Sequence, residues 1–310
     1  MVVDPLERPA GAKGRRVAWA YLVTIIFYHL VALLAFLPWF FSWTAVIVAW
    51  LGLIVFGTFG INICYHRLLT HRGFTCAPWL ERCLAVLGIC CVQDSPIHWV
   101  AVHRRHHQHS DEKPDPHSPL VNFLWAHVGW LLIENHDLNR LGLYSRYARD
   151  IAQDPFYSRF ERVRWYAGVI YASWLLFFLG GLVAAAVSGS SLLDSVQFGL
   201  SVLVWGVFVR TVVVWHITWS VNSVTHIWGY QRYATDDESR NNILIGYISS
   251  GEGWHNNHHA DPRTAKNGRR WWEFDLSYLL IRGLAASGLV KAIVMPNPRA
   301  AEIVSPSAPH

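Results

Sequence analysis

Seventeen histidines stand in this 310-residue chain, and nine of them fall into four groups whose spacing suits metal coordination. His66 and His71 frame HRLLTH, while His103, His106 and His107 form HRRHH. His226 ends NSVTH, one helical turn after Asn222, and His255, His258 and His259 form HNNHH. On a helix, positions i, i+3 and i+4 project from one face, so each triple can aim at a single locus. Neutral imidazole is a ligand for iron, zinc or copper. Nine imidazoles suffice for two metals with four or five ligands each, leaving open positions for oxygen, and spacing alone leaves their division open.

The ligand types narrow the metal. Structural zinc takes four ligands, often cysteine, and no cysteine lies in these groups. A soluble carboxylate di-iron site would carry Glu-x-x-His pairs on bundle helices, and the chain is expected to have no such pair. Nitrogen-rich iron coordination is therefore expected. The other histidines read more plainly. His29 and His216 sit within apolar tracts as packing or hydrogen-bonded residues, and His98 and His109 border the second group as candidate supports for its ligands. His117 and His127 read as structural or headgroup-side residues, and His136 and His310 carry no signal. The five cysteines, too few and too irregular for a disulfide framework, read as buried, inert thiols.

Elements must bring these groups together, and the composition says which kind. The chain is 53% hydrophobic and only 15% charged, with 17 Trp, which points to a bilayer-spanning protein. A hydrocarbon core of ~30 Å needs about 20 helical residues, so the two long apolar tracts each divide into a hairpin. The expected spans are 17–38, 43–65, 165–187 and 196–221. Residues 79–92 are apolar but too short to span, and are expected as an interfacial or buried helix. The short turns lack Lys and Arg, whereas Arg8, Lys13, Arg15 and Arg16 precede the first span and the long polar segments hold nearly all the rest. The positive-inside rule then places segments 1–16, 66–164 and 225–310 in the cytoplasm. The net charge of +5 follows the membrane flanks, so nucleic acid is not an expected partner. Arg210 alone lies inside a span, where it needs a partner or a position near an end. A lone histidine is ordinarily a core or surface residue; four groups on one side of a membrane point to metal. The expected fold is one all-α integral membrane domain over 1–310, with four transmembrane helices in two hairpins and a cytoplasmic helical cap carrying the histidine-rich site.

At these groups the chain resembles the membrane fatty acid desaturases of the acyl-CoA and acyl-lipid Δ9 type, in wording closest to their bacterial branch. The resemblance runs from about Gly60 to Pro296 through HRLLTH, the block Gln93 to Pro119, HVGWL from His127, NSVTH and GEGWHNNHH from Gly251. It implies two iron ions held by His66, His71, His103, His106, His107, His226, His255, His258 and His259, with Asn222 reaching one metal through water. It also implies O2 as co-substrate and a cis double bond, at Δ9, in a long acyl chain carried by coenzyme A, acyl carrier protein or a lipid. Electrons are expected from a separate donor of ferredoxin or cytochrome b5 type, and the membrane is expected to be the bacterial cytoplasmic one.

No side chain removes hydrogens from unactivated methylenes, so the metal centre must carry the chemistry while the protein supplies a dry, kinked tunnel. Trp50, Ile54 and Trp99 are candidate tunnel-lining residues. Arg104, Arg105, Arg140, Arg146, Arg149, Arg269 and Arg270 are candidates for an anionic headgroup, an acidic donor or anionic lipid. Hydroxylation or acetylenic-bond formation on the same scaffold is the nearest rival reading. A non-enzymatic metal transporter or sensor is a second, but it would need ionisable residues along its spans, and only Arg210, His29 and His216 qualify.

Overall fold

The computed structural model describes residues 6–14 and 16–297, so Arg15 and His310 lie outside the described residues. Within them, four apolar helices are long enough to cross a membrane: Trp19–Phe36, Trp43–Thr70, Val163–Val187 and Leu192–His226. The first hairpin turns at Pro38, and Ser42 starts the second helix by accepting from the Ala45 amide. The second hairpin turns at Gly189, whose positive φ of 84° lets the chain reverse, and Ser191 caps the fourth helix through the Asp194 amide.

The second and fourth helices are the inner pair. Their apolar windows are 39% and 61% buried, against 11% and 22% for the first and third, which turn Leu30, Leu33, Leu175, Leu176 and Val183 outward. Both inner helices run past the expected span ends, to Thr70 and His226. The extension is possible because polar chain surrounds it, burying Tyr65, Leu68 and Leu69. From Leu53 the second helix is wound more widely, and the His71 amide donates five residues back to the His66 carbonyl. Such winding recurs at functional sites, and here it delivers His66 and His71.

Two polar stretches, 71–162 and 227–297, close over these helix ends. Helix Pro78–Ile89 packs Leu80, Leu84 and Ala85 against the second helix, as expected of a buried or interfacial element. Ser95 and Pro96 start helix Pro96–His109, with the serine hydroxyl accepting from the His98 amide. A two-stranded antiparallel sheet, Thr75–Cys76 against Val290–Lys291, ties the two stretches together.

Arg210 is fully buried in the fourth helix. Its Nε donates to the Gly206 carbonyl at 2.9 Å, its guanidinium lies 4.1 Å from the Phe56 ring centre, and Cys91 Sγ is 3.9 Å away. A carbonyl, a ring face and a thiol offset part of the cost of burying this cation, while its Nη2 has no hydrogen-bond partner among the described residues.

One contact fixes how closely Pro78–Ile89 approaches the second helix. A Cβ on Gly60 would lie 2.5 Å from the Gly88 amide nitrogen, with no side chain in the way to yield. Gly60→Ala should therefore cost about 1–3 kcal/mol and lower the thermal unfolding midpoint in detergent. An unchanged midpoint would mean that the helices can separate without loss.

Candidate metal centre

The four sequence groups converge on two loci. The ligand nitrogens of His66, His71, His103, His107 and His258 lie within 4.8 Å of one another, and so do those of His106, His226, His255 and His259. Helix Pro96–His109 supplies both: His103 and His107 turn to the first locus and His106 to the second. Helix His255–Ala260 likewise sends His258 to the first, and His255 and His259 to the second. The i, i+3, i+4 pattern thus straddles two sites instead of aiming at one locus.

The donor atoms suit metal binding. His66 and His258 approach through Nε2 atoms at 3.0 Å, His107 and His258 at 3.0 Å, His103 and His107 at 3.1 Å, and His255 and His259 at 3.1 Å. Two imidazoles at right angles on a metal, each at about 2.1 Å, would be about 3.0 Å apart. The buried Nε2 atoms of His71 and His226 have no hydrogen-bond partner. Orphaned buried acceptors are costly, and a metal would satisfy both.

Carboxylates orient the rings from behind. Nδ1 of His66 faces Glu252 at 2.7 Å, His106 faces Asp115 at 3.0 Å, His226 faces Asp111 at 2.8 Å, and His259 faces Asp237 at 2.6 Å. With each Nδ1–H donated to its carboxylate, the Nε2 lone pair of that ring points at the locus. The charge pattern agrees. Burial, then the neighbouring imidazoles, holds His71, His103, His107, His255 and His258 well below the ordinary histidine range, so they stay neutral. Burial outweighs Asp237 and brings His259 down to about 4. Burial opposes ionisation of Glu252, but Arg67 and His66 outweigh it and keep the carboxylate charged.

Sequence reasoning missed these acids and Arg67. Arg67 is 1% exposed, donates twice to Glu252 Oε1 at 2.9 and 3.0 Å, and reaches Asp275 at 2.9 Å. A signal existed: Glu252 and His255 do stand in a Glu-x-x-His spacing, which corrects the expectation that the chain has no such pair. Asp111 and Asp115 likewise follow HRRHH within eight residues of His107.

A cavity adjoins the loci. His66, His103, His255 and Asn222 line it beside apolar Ile25, Ile61, Trp215 and Val221. Trp99 belongs to this wall and packs on His103, ring centres 4.9 Å apart. The other two tunnel candidates stand elsewhere. Trp50 is 61% exposed on the outside of the second helix, and Ile54 is absent from the lining, because both lie too many turns before His66. Nor do His98 and His109 support ligands: His98 lines the cavity and His109 pairs with Glu112 at 3.1 Å. His117 instead stacks 4.4 Å from His106. His29, His216 and His127 form a string, at 3.1 and 3.0 Å, that ends on Ser223. Arg104 turns inward to the Leu69, Thr70 and Tyr147 carbonyls and to Asp150, and Arg140 pairs with Asp94 and Glu161.

Comparison with known proteins adds the family. A fatty acid desaturase family model matches residues 41–290. The chain is 37% identical over 299 residues to the sn-2 palmitoyl-lipid 9-desaturase of Nostoc sp., covering 94% of this chain and 96% of that protein. It is 39% identical over 279 residues to the sn-1 stearoyl-lipid 9-desaturase of Synechocystis sp., covering 90% and 81%. It is 34% identical over 298 residues to the acyl-CoA C20 Δ5-desaturase of Anemone leveillei, covering 94% and 89%.

Removing the hydrogen-bond acceptor behind one ligand should loosen the metal without removing a ligand. Asp111→Ala and Asp237→Ala are each expected to weaken metal binding about 10- to 100-fold, measured by chelator competition with elemental analysis. Affinity equal to that of the unaltered protein would show that the rings are held without the carboxylates.

Proposed function

The chain belongs to the fatty acid desaturase family, and from that premise we propose that it inserts a cis double bond at Δ9 of a long saturated acyl chain carried on a membrane glycerolipid. It is an O2-dependent oxidoreductase and an integral membrane protein with four candidate spans. The observation that carries the finer reading is the apolar cavity whose wall includes ligands of both histidine groups, which suits an acyl chain laid past two metals.

His66, His71, His103, His107 and His258 would hold one iron, and His106, His226, His255 and His259 would hold the other, with Asn222 in the cavity wall beside them as a candidate partner through water. When bound, the irons supply, with O2 and two electrons, the oxidising power to take one hydrogen from each of two adjacent methylenes. The residues of this chain decide which methylenes those are. Trp99 Nε1 donates to Gln93 Oε1 at 3.2 Å, and Gln93 Nε2 donates to Thr218 Oγ1 at 3.0 Å. This bridge joins the ring that packs on His103 to the fourth helix, and all three residues line the cavity. An acyl chain must bend around it, and the bend fixes the carbons beside the metals. Buried Ile61, Val102 and Trp219 help keep the reacting segment dry.

Both termini and both polar stretches lie in the cytoplasm, supported by the basic residues that flank the spans. The whole chain acts as one domain. Electrons come from a separate carrier of ferredoxin or cytochrome b5 type, for which a net charge of +5 favours an acidic partner. The relatives from Nostoc and Synechocystis, named as lipid desaturases, support a lipid-linked substrate, and the membrane of this reading is the bacterial cytoplasmic one.

Expression in a host lacking desaturases, with a matched reductant supply, should yield new Δ9 monounsaturated lipids that are absent from a His103→Ala control. Hydroxy or acetylenic products, or a double bond elsewhere, would overturn the finer reading. Thr218→Leu, which breaks the bridge and fills its place, should keep the iron content while moving the double bond or lowering turnover. An unchanged product at an unchanged rate would remove the bridge from the account.

A further inference from the structure

The polar stretch after the fourth helix carries apolar side chains on its outside. In helix Ile243–Ile248, Ile245 and Gly246 face the protein, whereas Ile243, Leu244, Tyr247 and Ile248 are 55%, 68%, 50% and 46% exposed. A loop extends this face. Phe274 stacks on Tyr247, Tyr247 Oη donates to the Trp272 carbonyl at 2.9 Å, and Trp271 is 95% exposed.

The height of this face is set by two hydrogen bonds. Asn62 Nδ2 donates to the Ser249 carbonyl at 2.8 Å, and the hydroxyls of Thr58 and Ser250 meet at 2.9 Å. Trp43 is an exposed aromatic at the start of the second helix, the position of an interfacial anchor. At 1.5 Å per residue Thr58 and Asn62 would lie about 23 and 29 Å along the helix from it, and the wider winding from Leu53 makes both distances somewhat shorter. A hydrocarbon core is ~30 Å thick, so Ser249 and Ser250 attach at its near edge. Leu51 and Val55, both exposed, stand on the same helix within the two turns before Thr58, so lipid-facing side chains reach the level at which Ser249 and Ser250 attach.

We propose that helix Ile243–Ile248 and the Trp271–Phe274 loop form a membrane-docking face, seated in the boundary between lipid headgroups and acyl chains beside the second helix. Arg270, whose guanidinium lies over the Tyr230 and Trp272 rings, places a cation beside the loop for anionic headgroups. The docked helix leads directly to Glu252, the partner of His66, and then to His255. Lipid contact therefore holds the last histidine group at a fixed height over the acyl chain.

The test uses the full iron-loaded chain in vesicles of mixed neutral and anionic lipid, with Cys76→Ser and Cys83→Ser removing the thiols that are not buried. Spin labels are placed singly by Leu244→Cys and Ile248→Cys. Leu176→Cys on the third helix serves as the lipid reference and Glu112→Cys as the water reference. Collision rates with O2 and with a water-soluble nickel chelate are measured. The O2-to-nickel ratio at 244 and 248 should shift from the Glu112 value towards the Leu176 value. A ratio equal to that at Glu112 would overturn the proposal. Dipolar broadening that persists at high lipid dilution would also overturn it, by assigning the face to a second copy of the chain. Trp271→Cys gives the same reading should either helix variant fail to retain iron.

Discussion

The arrangement depends on one buried guanidinium. Arg67 stands beside His66 where no water reaches it, and its charge is met by Glu252, Asp275 and the Ala265 carbonyl. Removing Arg67 would leave two buried carboxylates without their cation, a loss of about 3–5 kcal/mol for breaking such a pair. The same Glu252 orients His66, and Asp275 also receives the Asn267 and Gly268 amides. The network therefore does more than stabilise: it fixes the register of the segment carrying HNNHH against the helix carrying HRLLTH.

That register matters because the imidazoles must be neutral and close at once. Neutral rings crowd together without repulsion, and burial keeps His71, His103, His107, His255 and His258 so. Crowding alone would leave ring orientation free. Glu252, Asp115, Asp111 and Asp237 remove that freedom by accepting the Nδ1–H of four rings, one in the first locus and three in the second. Asp111 also accepts from the Glu238 amide, and Asp115 from the Asp111 and His117 amides. The acids are themselves held in place, so the order passes from loop backbone to carboxylate to ring.

The inner helices join this site to the membrane. Each is long and apolar enough to cross a bilayer and ends in a histidine group, and the two loci open on a cavity that reaches between the first and fourth helices. The lining is apolar along this reach, through Ile25, Ile61, Trp215 and Val221. The family relationship and the cavity agree on an acyl-chain substrate by independent routes, one from sequence similarity and one from the chemistry of the lining.

The sequence by itself determined the four apolar helices, the family and the nine histidines that gather at two loci, because hydropathy runs and imidazole spacing are local patterns. It also marked Trp99, through its place four residues before His103. Only the tertiary structure decided how HRRHH and HNNHH divide, since both triples sit between two loci and their rings part by rotamer as well as by helical phase. Trp50 and Ile54 were misplaced for a related reason: an apolar residue on a spanning helix reads alike whether it faces lipid or cavity. Glu252, Asp275 and Arg67 became legible only in three dimensions, because the partners of Arg67 lie 185 and 208 residues away in the chain. Their meaning is a desolvated charge balance, and burial is a property of the assembled fold.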